Sequence, residues 1–130
     1  MTQADAARLA QFKRDSLAER MEQEFADIVN RLRATLDGAD QPTDQARAEL
    51  RRLAYELTCT AGTFNRGSLS TAARALCVLL DGLESRRAWD RNAINVNVDV
   101  IRALMRSPPG EETEDLLAAL ARLTAHVSRT

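Results

Sequence analysis

Few side chains in these 130 residues are equipped for chemistry: the thiols Cys59 and Cys77, the single imidazole of His126, the single phenol of Tyr55 and an acidic run from Glu111 to Asp115. Two cysteines and one histidine make no spacing that suits a zinc site, and two cysteines are too few for a disulfide framework. Reduced thiols, no metal and no cofactor are therefore expected. His126 falls on the polar side of the last helical segment, near the chain end, with no motif around it. The acidic run opens that segment, where carboxylates complement the positive end of a helix dipole. What remains is the stretch LAYELTCTAGTFN, Leu53 to Asn65, which gathers a tyrosine, a thiol and a glycine at helical spacing. Tyr55 carries a phenol whose reference pKa is about 10, with no general base at a recognisable spacing.

The elements that position this stretch follow from apolar periodicity. From Ala7 to Leu36, apolar residues recur at three- and four-residue steps (Leu9, Phe12, Leu17, Met21, Phe25, Ile28, Val29, Leu32, Leu36), which predicts one long or two abutting amphipathic helices stopped by Asp37 and Gly38. Residues 1–14 are expected to form a leading helix or arm that packs across the remainder or projects beyond it. A second helix starts near Pro42 or Thr43 and ends at Asn65 to Gly67. Ser68 is the expected cap of a third, carrying Leu69, Ala72, Leu76, Leu79, Leu80 and Leu83 and ending around Glu84 to Arg87. Ala93 to Met105 opens with strand-like alternation, but Ile94, Val98, Ile101 and Met105 also make a helical stripe. A lone strand has nothing to pair with, so a helix is expected, with Trp89 packing near its start. After the break SPPG, Ser107 to Gly110, comes a last helix. One all-α domain over residues 1–130 follows, an antiparallel up-and-down four-helix bundle with an additional N-terminal helical segment.

Composition narrows the functions. Net charge is −1, and only five aromatics are present, scattered and not interleaved with basic residues, so nucleic acid is not an expected partner. Apolar runs are short and broken by charges, and the N-terminus lacks a signal-peptide core. The protein is expected to be cytoplasmic and to leave membranes alone. Basic charge comes almost wholly from Arg, with Lys13 the one lysine, a coding style typical of Ala- and Arg-rich bacterial chains.

At about 100° per residue, Ala46, Leu50, Leu53, Ala61 and Phe64 all fall within roughly 40° of Leu57, while Tyr55 lies about 160° away. Arg52, Cys59 and Gly62 share the outward face with Tyr55, with Arg51 nearby and Arg66 joining them if the helix persists. Gly62 costs about 1 kcal/mol against alanine inside a helix, and Thr58, Thr60 and Thr63 are mediocre helix formers. Something besides helix propensity has shaped this segment.

YELTCTAGTF, Tyr55 to Phe64, resembles the signature of histidine phosphotransfer (HPt) domains, roughly H-x-L-K-G-x-x-G-x-x-G, in the variant with Ala-Gly-Thr-Phe after the glycine. Tyr55 falls where the phosphorylated histidine belongs. Leu57 matches the buried leucine, Thr58 replaces the lysine, Cys59 replaces the glycine, residues 61 to 64 match, and Asn65 replaces the last glycine. LSTAARAL, Leu69 to Leu76, is similar to the family's next helix, and the specific likeness covers about Leu50 to Leu80. The resemblance implies a four-helix bundle whose second bundle helix presents the motif position to solvent. It also implies docking to a response-regulator receiver domain or a histidine kinase. Because nucleophile, lysine and glycine are all replaced, the chain reads as a degenerate, non-enzymatic member. It is expected to modulate phosphate flow by binding through Arg51, Arg52, Tyr55, Thr58, Cys59, Gly62 and Arg66. Two other readings stay open: a residual phosphotransferase using Tyr55 or His126, and a structural helical subunit, a homodimer included.

Overall fold

The structure is a computed structural model that describes residues 2–37, 42–63, 66–106, 115, 117–123 and 125. Among these residues it is all-helical, with four long helices: α1 (Gln3–Asp37), α2 (Asp44–Thr63), α3 (Gly67–Ser85) and α4 (Arg91–Arg106). A further helical stretch, 117–123, lays Leu120 into the core, with Leu117 and Leu123 partly buried against it. The expectations placed on Phe64, Asn65, the SPPG break, residues 111–114 and His126 lie outside the described residues.

Local chemistry sets the helix ends. Thr2 and Asp5 cap α1 reciprocally: the Thr2 hydroxyl accepts the Asp5 N–H at 3.2 Å, and the Asp5 carboxylate accepts the Thr2 N–H at 3.3 Å. Thr43 caps α2, its hydroxyl accepting the Ala46 N–H at 3.1 Å. The α3 cap differs from expectation. Arg66 is the N-cap without a side-chain capping bond, and Gly67 and Ser68 already lie inside the helix. The reason is that the Arg66 N–H folds back onto the Ala61 carbonyl at 2.8 Å, which closes α2 and lets α3 begin at once. At its far end α3 closes with paired bonds, Arg87 N–H to Glu84 and Ala88 N–H to Leu83, and Arg87 takes the left-handed conformation at φ 51° that glycine usually fills. Asp90 then caps α4 through the Ala93 N–H at 3.0 Å.

Each helix runs alongside two others, α1 with α2 and α4, and α3 with α2 and α4. Phe25, Ile28, Leu32 and Leu36 of α1 meet Leu50, Leu53, Leu57 and Ala61 of α2, Leu69, Leu76, Leu79 and Leu83 of α3, and Ile94, Val98 and Ile101 of α4 in one buried cluster. Burying each such large side chain contributes about 1.5–3 kcal/mol. The helical reading of α4 holds for a physical reason: the helix buries Ile94 and Val98 and leaves the intervening Val96 about half exposed. A strand would have put all three on one side. Asn97 is the one polar residue among the described core. Its amide donates to the Ala93 carbonyl at 2.8 Å, and its side-chain oxygen finds no partner. Trp89 is partly buried against the core, with the Arg47 guanidinium 5.3 Å over its ring.

The N-terminal apolar pattern does not continue the core stripe. Leu9, Phe12 and Leu17 are exposed, and the first α1 residue packed against the core is Met21. Counted at about 100° per residue from Phe25, Leu9 and Phe12 lie roughly 140–160° round the helix and Leu17 about 80°. The leading segment is thus neither a separate helix nor packed across the others. It is the projecting first half of α1.

Candidate functional site: the outer face of α2 and its seam with α3

α2 separates its two faces as periodicity requires. Leu50, Leu53, Ala54, Leu57 and Ala61 are buried, whereas Tyr55 is 68% exposed and Arg52, Cys59 and Gly62 are exposed beside it. At that level of exposure most of the Tyr55 ring faces solvent, and its hydroxyl makes no hydrogen bond to the described residues.

The arginines are arranged differently from one another. Arg52 is held between two glutamates of its own helix, with Glu49 at 2.6 and 3.0 Å and Glu56 at 3.0 Å. The Arg52 hydrogen bond holds the Glu49 carboxyl below its usual range, and Glu49 in turn raises the Arg52 guanidinium. Much of the Arg52 charge is therefore compensated locally, and as an exposed pair the bridge adds little stability. Arg51 is half-buried, and its Nε is buried without a partner. Arg66 leaves the face altogether. Its guanidinium lies 3.3 Å from Glu22 of α1 and donates to the Leu104 and Met105 carbonyls of α4 at 3.4 Å each. There it satisfies carbonyls in the last turn of α4, where a cation is favoured.

Thr58 and Gly62, read from the sequence as parts of the docking face, turn toward α3. The Thr58 hydroxyl donates to the Ala54 carbonyl at 2.8 Å and lies 3.7 Å from the Cys77 sulfur. Its own carbonyl accepts the Ser70 hydroxyl at 2.8 Å. A Cβ on Gly62 would sit 3.3 Å from that same Ser70 oxygen, tighter than an ordinary contact. Glycine is explained here by the closeness of α3.

Beside Tyr55 the two helices leave an open groove of about 400 Å³ lined by Ala48, Arg51, Arg52, Tyr55, Cys77 and Asp81. The α3 side of it, Cys77 and Asp81, escaped the sequence reading, which treated Cys77 only as a thiol. Their spacing of one helical turn was the available signal, because a helix packed beside α2 presents such a pair to one groove. Cys77 is half-buried, and desolvation pushes its thiol up, partly offset by the Thr58 hydroxyl and reinforced by Asp81. Burial thus disfavours its thiolate form. Cys59 is the exposed thiol.

Among the described residues, no three His, Cys, Asp or Glu side chains gather to hold a metal ion, and no helix is long and apolar enough to cross a membrane. No family model, curated protein or solved structure matches this chain. The likeness to the HPt signature rests on the residues of the α2–α3 segment themselves.

Proposed function

We propose that the chain is an antiparallel up-and-down bundle of the HPt type from which phosphoacceptor chemistry has been removed. In this reading it binds a response-regulator receiver domain or a histidine kinase in the cytoplasm and modulates phosphate flow without carrying phosphate. The helix ends support the arrangement. Arg66, at the α2–α3 junction, reaches the end of α4, while Arg33 near the end of α1 meets Asn95 at 2.8 Å and Asp99 at 3.8 Å in the first half of α4. Arg91 and Asp37 approach to 3.6 Å at the same end.

The observation that carries the docking reading is Tyr55, 68% exposed two residues from a fully buried Leu57, at the position where the signature has its histidine. Tyrosine supplies a large rigid contact surface and is enriched where binding energy concentrates. The groove shared with Arg51, Cys77 and Asp81 gives a partner side chain somewhere to enter. Thr58 spends its hydroxyl on Ala54, so it cannot take over the phosphate-neutralising part of the signature lysine.

Titrating purified receiver and kinase domains against the chain tests the reading. Binding is expected for at least one of them, with Tyr55→Ala weakening it about tenfold or more while helicity is unchanged. Radiolabel from a phosphorylated kinase or receiver is expected to stay off this chain. Affinity indifferent to Tyr55 and Cys59 overturns the docking face, and label on Tyr55 or His126 restores the phosphotransferase alternative.

A further inference from the structure

Among the described residues, nothing covers the apolar side chains of the first half of α1. From Gln3 to Arg20 it extends for about 27 Å, with no buried side chain among the described residues. Leu9, Phe12 and Leu17 are 47%, 68% and 48% exposed. A helix of this length is marginal in water when it relies on its own hydrogen bonds, and most helices in proteins are held by packing an apolar face. The Thr2–Asp5 cap secures its tip but covers none of its apolar surface.

The charges along it identify what covers that surface. Residues 5–14 carry Asp5 against Arg8, Lys13 and Arg14, whereas residues 15–24 carry Asp15, Glu19, Glu22 and Glu24 against Arg20. The projecting half is thus basic toward its tip and acidic toward the bundle. A parallel copy in register would set like charges side by side. An antiparallel copy sets the basic half against the acidic half on either side of the centre. Centred near Lys13, that register lays Leu9 against Leu17 of the second copy, Arg8 beside Glu19 and Asp5 beside Arg20. Phe12 lies close to the axis, and the long stem of Lys13 carries its ammonium out of the seam.

The geometry points to a homodimer in which the projecting halves of α1 pair antiparallel around Leu9, Phe12 and Leu17. The contact is isologous, so it closes on itself and does not propagate into filaments. It leaves the Tyr55 face outside the seam, and it stands or falls independently of any receiver or kinase partner.

Sedimentation velocity over a micromolar-to-millimolar concentration series tests this directly. The full chain is expected to pass from monomer to dimer, and Leu9→Glu with Phe12→Glu to weaken self-association about tenfold or more, without changing the denaturation midpoint of the bundle. Two charge variants test the pairing of basic against acidic halves. One carries Arg8→Glu, Lys13→Glu and Arg14→Glu; the other carries Asp15→Lys, Glu19→Lys and Glu24→Lys. Each alone is expected to remain monomeric, and their equimolar mixture to form a heterodimer. A chain that stays monomeric throughout overturns the proposal, as does a dimer indifferent to Leu9 and Phe12. Dimerisation of either charge variant alone, or no association in their mixture, excludes the antiparallel register.

Discussion

Leu57 and Tyr55 stand two residues apart on α2, one with no exposed surface and the other 68% exposed. The separation of about 200° between them divides the helix into a face the fold cannot do without and a face the fold does not use. On the inner face, residue type is dictated by volume and apolarity, because Leu50, Leu53, Leu57 and Ala61 share one close-packed cluster with all three other helices. On the outer face, stability leaves the residue open, and in the proposed reading the exposed Tyr55 ring is the surface a partner meets.

The largest expected effect breaks this division at its inner side. Leu57→Ala leaves a cavity at the centre of the cluster and is expected to cost about 2–5 kcal/mol in urea denaturation. Tyr55→Ala in the same assay is expected to stay within about 0.5 kcal/mol. A loss of several kcal/mol for Tyr55→Ala would mean that the ring supports the fold, and the division would collapse.

A second test sharpens the inner face by altering its one polar member among the described residues. Asn97 is buried, with one side-chain oxygen unpartnered. Asn97→Asp keeps the shape but puts a carboxyl where no cation is near it among the described contacts. Desolvation raises the folded pKa of such a group above the unfolded value of about 3.9. The sign follows from proton uptake. Below about pH 4 the carboxyl is protonated in both states, its hydroxyl can donate to the Ala93 carbonyl, and stability stays near that of the parent chain. As pH rises toward the folded pKa the native state binds more protons than the unfolded state, and stability falls by about 1.4 kcal/mol per unit. A deficit of about 3 kcal/mol at pH 7 is expected from denaturation curves at pH 4 and pH 7. A pH-independent deficit would show that water reaches the site, contrary to its burial.

The two faces were not equally legible in the sequence. Inner positions repeat with the helical period, and Leu50, Leu53, Leu57, Leu69, Leu76, Leu79 and Ile101 all stand where periodicity put them. Pattern failed where it carries no distance information. Leu9, Phe12 and Leu17 look like a continuation of the α1 stripe until their phase is counted against Phe25, and only the lengths of the neighbouring helices α2 and α4, 20 and 16 residues beside 35, show that neither helix is long enough to cover them. Arg66 was read onto the Tyr55 face from its angle alone. A long side chain at a helix junction goes where carbonyls and a carboxylate are unpaired, which is tertiary information. Ser68 has the chemistry of a cap, but the tight closure of α2 on the Ala61 carbonyl starts α3 two residues too early for it.

The smallest expected effect asks which face Gly62 belongs to. Its spacing put it beside Tyr55 on the docking face, whereas the 3.3 Å approach to the Ser70 hydroxyl makes it part of the α2–α3 seam. Alanine at this position gains up to about 1 kcal/mol in helix propensity, less so close to a helix end. Against that, it displaces a hydroxyl bonded to the Thr58 carbonyl, a contact of about 0.5–1.5 kcal/mol. Gly62→Ala alone is therefore expected to be near neutral. Ser70→Ala removes the crowding oxygen, so Gly62→Ala in that background is expected to stabilise by roughly 0.5 kcal/mol or more, a coupling that a double-mutant cycle in urea resolves. If the two changes are additive, the seam does not set residue 62. If Gly62→Ala leaves the cycle flat but weakens a receiver or kinase complex, the glycine is room for a partner after all, and the boundary between the faces of α2 moves one turn toward α3.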